Sequence, residues 1–225
     1  VIDLLQGSDR YSVSGSYSQQ RKQLTMCNNH PEANVRFNAG TRLIQNLQQV
    51  QYRNGLFKDS DIVGRIPQFT IEMETGTGKT FVYLETILRL WAEFGGQFKK
   101  FIIVVPSTAI LMGVQKSIET FADYFKPKYN NIDLKDHFFV FDKNTTVEAV
   151  STRLVESTDL SIMLITNASF NKEANRLRKE SENGVVVWND IKDIAPIVII
   201  DEPQKLDGTG KKMSKSMEAL QELNP

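Results

Sequence analysis

The sequence has one cysteine, Cys27, and only two histidines, His30 and His137, far apart in the chain. A lone thiol excludes an internal disulfide and suits a reducing compartment, so a cytoplasmic protein is expected. With so few soft ligands, a zinc site of the usual four-ligand kind is not expected. No apolar run approaches the ~20 residues that span a bilayer and no signal-peptide pattern opens the chain, so no membrane partner is expected. Charge of neither sign is in excess, since 27 Lys and Arg balance 27 Asp and Glu. That balance excludes a strongly basic nucleic-acid coat protein and still leaves room for a local basic groove.

What is present is ordinary for a globular chain. Hydrophobic residues make up 40% of 225 positions, enough for one domain with a real core. The chain opens on Val1 without a methionine and closes at Pro225 just after a helical pattern; a piece of a longer protein is expected. Residues 1–35 are polar and rich in Ser, Gly, Gln and Tyr, and read as mostly loop. Leu43, Leu47 and Val50 predict a helix over residues 38–51, followed by a turn at Arg53-Asn54-Gly55. The expected organisation is an N-terminal extension, partly helical, over residues 1–65, and a principal domain over residues 66–225.

From Ile66 the pattern changes. Residues 66–74 alternate enough for a strand and run directly into Thr75-Gly76-Thr77-Gly78-Lys79-Thr80. Leu84, Ile87, Leu88 and Trp91 then define one face of an amphipathic helix that should end near Gly95-Gly96. Residues 101–105 form a continuous apolar run stopped by Pro106, as strands buried on both faces do. A second helix follows through Leu111, Val114, Ile118, Phe121 and Phe125. Further strands are expected over 137–141, 161–166 and 197–200, with helices over 146–156, 168–179 and 213–223. Strands alternating with helices predict an α/β fold with a mostly parallel sheet flanked by helices on both sides.

The glycine-rich turn carries the chemistry. Glycines let the backbone curl so that N–H groups converge on phosphate oxygens, and the helix that follows adds its positive end. Thr75, Gly76, Thr77, Gly78, Lys79 and Thr80 are therefore the candidate nucleotide-binding residues. Lys79 is placed to neutralise the β- and γ-phosphates, and the Thr80 hydroxyl to ligate Mg²⁺. Met73 stands where the standard eight-residue phosphate-loop pattern has its first glycine. The competing reading is a chance glycine-rich turn, and its position between a strand and an amphipathic helix weighs against that. Far downstream, the apolar run at 197–200 ends in Asp201-Glu202-Pro203-Gln204. An acidic strand end is what a phosphate-loop ATPase needs opposite its loop: Asp201 for Mg²⁺, and Glu202 to accept a proton from the attacking water or orient it. Acids that merely face solvent at a strand end are the alternative, weakened by the correct chain order of the two motifs.

These residues also resemble a known family. Residues 72–80, Glu-Met-Glu-Thr-Gly-Thr-Gly-Lys-Thr, are similar to the first helicase motif of type III restriction Res subunits, where a methionine at the first loop position is common. Residues 101–107 with Ala109-Ile110 and Gly113-Val114 resemble the family's second block. Ala168 to Lys172 with Asn175 resembles a further block, and residues 196–204 its acidic segment. Glu222 to Pro225 resembles the stretch before its third motif. The resemblance covers residues 66–225 and implies the first RecA-like lobe of a superfamily-two helicase-like motor, a P-loop NTPase domain that uses ATP and Mg²⁺. It also implies double-stranded DNA and a modification (methyltransferase) subunit as partners, with a second lobe and a nuclease domain outside these residues. ATP is implied by the resemblance alone, because among Gln19, Gln20, Gln45 and Gln48 no adenine-reading glutamine stands out.

By the same resemblance Ser107, Thr108, Thr166 and Asn167 are the candidate nucleic-acid contacts; for Ser107 and Thr108 simple helix capping is the competing reading. Lys205, Lys211, Lys212 and Lys215 read as the solvated start of a helix, and Phe170 and Trp91 as core. Two other functions stay open: a helicase-like ATPase in RNA remodelling or DNA repair, and a catalytically weak nucleotide-binding module serving as an interaction platform. Intact Lys79, Thr80, Asp201 and Glu202 weigh against the second.

Overall fold

The continuous apolar runs become four parallel strands of one sheet. In a computed structural model the described residues are 2–6, 10–11, 33–37, 41–57, 68–181, 184–206 and 214–223. The N-terminal part contributes α1 (Ile2–Leu5), a two-residue antiparallel pair β1 (Arg10–Tyr11) and β2 (Arg36–Phe37), and α2 (Thr41–Arg53). Then come α3 (Lys79–Glu93), β3 (Lys100–Val105), α4 (Thr108–Phe125), α5 (Leu134–His137), β4 (Phe138–Phe141) and α6 (Val147–Val150). A π-helical turn over Ser151–Val155 extends α6, and β5 (Ser161–Thr166), α7 (Val187–Asp193), β6 (Ile197–Ile200) and α8 (Lys215–Glu222) complete the order.

The strand order is β4-β5-β3-β6. The central strand β3 pairs with β5 from Lys100 opposite Ser161 to Val105 opposite Thr166, and with β6 from Phe101 opposite Ile197 to Val104 opposite Ile200. Side chains alternate across a sheet with period two, and β3 divides its residues accordingly. Phe101, Ile103 and Val105 enter one core with Leu84, Ile87 and Leu88 of α3 and Leu111, Val114 and Ile118 of α4. Ile102 and Val104 enter the other, with Val150 of α6, Trp188 and Ile191 of α7 and Leu220 of α8. Both faces are covered, which is why β3 and β5 read as unbroken apolar runs. Each fully buried Leu or Ile in these layers contributes about 1.5–3 kcal/mol.

Residues of the N-terminal part belong to the first core: Ile2, Leu4, Leu5 and Leu43 are buried in the same cluster as Leu84, Ile87 and Leu88 of α3. Asn34, 1% exposed, joins this part to the sheet. Its Nδ2 donates to the carbonyls of Lys100 (2.7 Å) and Ala195 (3.1 Å), and its Oδ1 accepts from the backbone N–H of Lys99 (2.8 Å) and Lys100 (2.9 Å).

Two expectations are corrected. A strand does not form over 68–74; this stretch is irregular and mostly exposed, and residues 66 and 67 lie outside the described ones. Its polar alternate positions, Gln68, Thr70, Glu72 and Glu74, offer no second apolar face, and β6 is consequently the last paired strand on that side among the described residues. Nor is there a helix over 168–179, where a 3-10 turn (Asn167–Ser169) is followed by successive turns. Asparagine side chains compete with helical backbone bonds: Asn175 accepts from the Lys172 N–H (2.7 Å) and donates to the Ala168 carbonyl (3.2 Å). Phe170 is fully buried and stacks on Trp188 with ring centroids 5.4 Å apart, so it serves as core.

Candidate nucleotide site

The sheet brings the two motifs to one edge. Residues 74–78 form an exposed turn leading into α3, with Gly76 at φ 80° and Gly78 at φ 89°, ψ 30°. This left-handed backbone is why glycine occupies both positions. The Thr77 hydroxyl donates to the Glu74 carbonyl at 2.7 Å and braces the turn. Gly78 caps α3 without a side-chain bond, leaving the first N–H groups of the helix directed out of its end. A Cβ at Gly78 would meet nothing within 4 Å, so the cost of Gly78→Ala is conformational, about 1–2 kcal/mol for forcing a left-handed L-residue. We expect that variant to lose most nucleotide affinity by re-aiming the N–H groups. Gly78→Asn, which tolerates left-handed backbone, should lose less; titration of the two variants side by side checks this.

Facing the loop is the end of β6. The Asp201 N–H continues the ladder by donating to the Val104 carbonyl at 2.9 Å. Glu202 then turns into left-handed backbone, φ 57° and ψ 56°, an unfavourable state for a non-glycine residue of the kind found at functional sites. Its carboxylate lies 3.6 Å from Lys79 Nζ and 3.1 Å from Lys205 Nζ, and accepts from Gln204 Nε2 at 3.0 Å. The two acids are tuned in opposite directions. Burial, then the neighbouring Glu202 charge, raises the Asp201 carboxyl above its ordinary value. The Lys205 ammonium, by hydrogen bond and charge, lowers that of Glu202.

The structure joins Lys79 to Glu202 in one ion pair. Two neighbours were not singled out from the sequence. Lys205 read as part of a solvated basic run, yet it holds Glu202; Lys211 and Lys212 lie outside the described residues, and Lys215 opens α8. Tyr83, on α3, has a hydroxyl that is buried and lacks a hydrogen-bond partner among the described residues, an arrangement that costs about 1–3 kcal/mol. Its position three residues after Thr80, on the same helical face, was the available signal.

The donors fit a magnesium nucleotide. Thr80 and Asp201 offer hard oxygens, and Gly76 and Gly78 leave open space where a Cβ would stand. Among the described residues no three His, Cys, Asp or Glu side chains converge as a metal cage. Magnesium, which completes its shell with phosphate oxygens and water, suits such a sparse set.

Of the nucleic-acid candidates, Ser107 caps α4, its Oγ accepting from the Ile110 N–H at 3.4 Å. Thr166 ends β5 with its hydroxyl 2.9 Å from that of Ser169, and Asn167 follows, half-buried. Thr108 and Thr166 line one cleft of about 910 Å³ together with Lys135, Lys143, Arg153 and Arg176. Of the glutamines considered for adenine, Gln45 and Gln48 lie on α2, while Gln19 and Gln20 are outside the described residues.

An all-parallel sheet between helical layers, with a glycine-rich turn at the start of a helix, defines a RecA-like P-loop domain. The family described as "Type III restriction enzyme, res subunit" matches residues 38–223, and the chain belongs to that family. It is 27% identical over 193 residues to the type III restriction-modification enzyme EcoP15I Res subunit of Escherichia coli, covering 77% of this chain and 19% of that protein. The EcoPI Res subunit of Escherichia phage P1 is 28% identical over the same length and shares. The StyLTI Res subunit of Salmonella typhimurium is 27% identical over 179 residues, 67% of this chain and 17% of the relative. The chain therefore spans about a fifth of the length of these relatives. Among the described residues no helix is long and apolar enough to cross a membrane.

Proposed function

We propose that this chain is the ATP-binding motor lobe of a type III restriction endonuclease, coupling ATP hydrolysis to movement on double-stranded DNA. The observation that carries this reading is the Lys79–Glu202 pair at 3.6 Å, which sets the glycine-rich turn against the acidic end of β6. Family membership supports it, and a helicase-like family uses a nucleotide and a divalent metal. Residues 66–225 are the first motor lobe, with residues 1–65 as its extension. A modification subunit and a cytoplasmic setting accompany the reading.

Within it each residue has a task. The N–H groups of Thr75 to Thr80 cradle the phosphates, and Lys79 leaves Glu202 to neutralise them. Thr80 and Asp201 would hold magnesium, which would offset the phosphate charge. Glu202, released from Lys79, orients the attacking water or accepts its proton. Ser107, Thr108, Thr166 and Asn167 contact the DNA backbone through hydroxyls, side-chain amide and helix end. The cleft lined by Thr108 and Thr166 carries four cations against one carboxylate, Asp142, with Lys135 also paired to Asp123 at 3.4 Å, and that balance favours a phosphate-bearing strand there.

The test is a calorimetric titration of Mg·ATP into the protein and into Lys79→Ala, followed by hydrolysis with and without duplex DNA. We expect saturable binding that weakens at least about a hundredfold in the variant, a loss of about 2.8 kcal/mol, and hydrolysis that rises with DNA. Binding unaffected by Lys79→Ala would sink the assignment of the phosphate loop. Nucleotide binding without turnover in the intact protein, with or without DNA, would favour the interaction-module reading.

A further inference from the structure

Four cations line the cleft that holds Thr108 and Thr166, and three of them are already engaged. Arg153 donates from Nη2 to the Phe138 carbonyl at 2.9 Å, its guanidinium 4.6 Å from the centre of the Phe139 ring. Lys135 pairs with Asp123 at 3.4 Å. Arg176 donates from Nη1 to the carbonyls of Thr145 (2.9 Å) and Lys143 (3.4 Å), and from Nη2 to that of Asp142. Its guanidinium lies 4.9 Å from the centre of the Phe141 ring. Lys143, the fourth, is exposed, and its ammonium has no ion pair or hydrogen bond among the described residues.

The loop that carries Lys143, residues 142–146, is held in shape. The Asp142 carboxylate accepts from the backbone N–H groups of Asn144 (2.9 Å) and Thr145 (3.1 Å), and the Thr145 hydroxyl donates to the Val140 carbonyl at 2.7 Å. Strand register sets its level. Phe141 stands opposite Ile165 and Val105 opposite Thr166, so the chain leaves β4, β5 and β3 along one edge of the sheet. Neighbouring strands are ~4.8 Å apart, which puts the ends of β4 and β3 about 10 Å apart, about three steps along one DNA strand. Arg176 belongs to the turns that follow Asn167, and its three carbonyl bonds fasten the loop after β4 to those turns.

We propose that Lys143 is a phosphate contact of the DNA site, in line with Thr108 and Thr166, and that Arg176 is the positioning residue that holds its loop. This rests on the reading of the cleft as the seat of a phosphate-bearing strand. An exposed ammonium with no partner to give up is the cation that a phosphate recruits most readily. Arg153 and Arg176 would each have to leave backbone carbonyls first.

The test is the anisotropy of a fluorescent DNA duplex titrated with the intact protein over a salt series. Lys143→Gln, Arg176→Lys, the double variant and Thr166→Ala are compared with the unaltered protein. We expect Lys143→Gln to weaken binding about two- to fivefold, as an exposed charge contact does. The slope of log affinity against log salt should fall by about 0.9, the share of one phosphate. Arg176→Lys keeps the charge but cannot span three carbonyls, so affinity and slope should fall in the same direction. The double variant should bind no more weakly than Lys143→Gln alone, because both changes remove one contact. Unchanged affinity and slope in Lys143→Gln, with Thr166→Ala weakened, would overturn the inference and leave the reading of the cleft standing. Additive losses in the double variant would overturn the positioning role of Arg176. Binding that ignores all four variants, or is absent from the unaltered protein, would defeat the reading of the cleft and this inference with it.

Discussion

Asn34→Ala should cost about 3–5 kcal/mol of stability, the range of broken buried hydrogen-bond networks. One side chain satisfies two backbone donors and two acceptors, at Lys99, Lys100 and Ala195, all belonging to segments remote in sequence. Truncation leaves those groups inside a site that is 1% exposed at Asn34, where each unpaired group costs about 1–3 kcal/mol unless water enters. Asn34→Asp is a stringent companion. It keeps the acceptors for the two N–H groups but sets a carboxylate oxygen against the Lys100 and Ala195 carbonyls, so it should be at least as destabilising near neutral pH. Equilibrium unfolding checks both variants; at about 2–4 °C per kcal/mol for a chain of this size, the expected fall in melting temperature is about 10 °C. A loss below about 1 kcal/mol in Asn34→Ala would mean that the Asn34 side chain adds little to holding β3 and the end of α7 together beyond the backbone bond from the Asn34 N–H to the Ile194 carbonyl.

Asn34 also marks where the sequence stopped being readable. Its partners lie 65 or more positions away, and a lone asparagine in a polar stretch carries no periodic signal. The strands β3 and β5 were legible because burial on both faces writes itself as an unbroken apolar run, and β6, only half-buried at the end of the strand order, still carries four apolar residues in a row. The helices α3 and α4 were legible because their buried residues recur at helical spacing. The glycine turn and Asp201-Glu202 were legible because each is a short local motif. Residues 68–74 misled because alternation predicts a strand only where a partner edge is taken up, and residues 168–179 because apolar spacing is outweighed by asparagines that bond to their own backbone. The short helix α7 escaped notice, its seven residues offering Trp188 and Ile191 as a single helical repeat. Tyr83 was not singled out, since its unmet hydroxyl exists only in three dimensions.

Glu202→Gln is expected to lower the rate of ATP hydrolysis by about 10²–10⁴-fold, the contribution of a positioned general base, while binding is kept or tightened. The second half of that expectation comes from the geometry without nucleotide. Glu202 holds Lys79 at 3.6 Å, so a phosphate must draw Lys79 out of an ion pair before it can be neutralised. Glutamine removes that competitor without removing Asp201 or Thr80, and it retains an amide oxygen for Lys205. Affinity for Mg·ATP should therefore rise or stay level as turnover collapses, a split that Lys79→Ala cannot produce because it removes the phosphate contact itself. The left-handed backbone at Glu202 adds a control: Glu202→Ala loses the carboxylate and, like the native residue, must bear the strained φ, so it should lose turnover to the same degree with lower stability than Glu202→Gly. Calorimetric affinity set beside single-turnover hydrolysis in the intact enzyme separates these outcomes. Normal turnover in Glu202→Gln would take the base away from Glu202, and weakened binding in that variant would mean that its pairing with Lys79 arms the loop for phosphate.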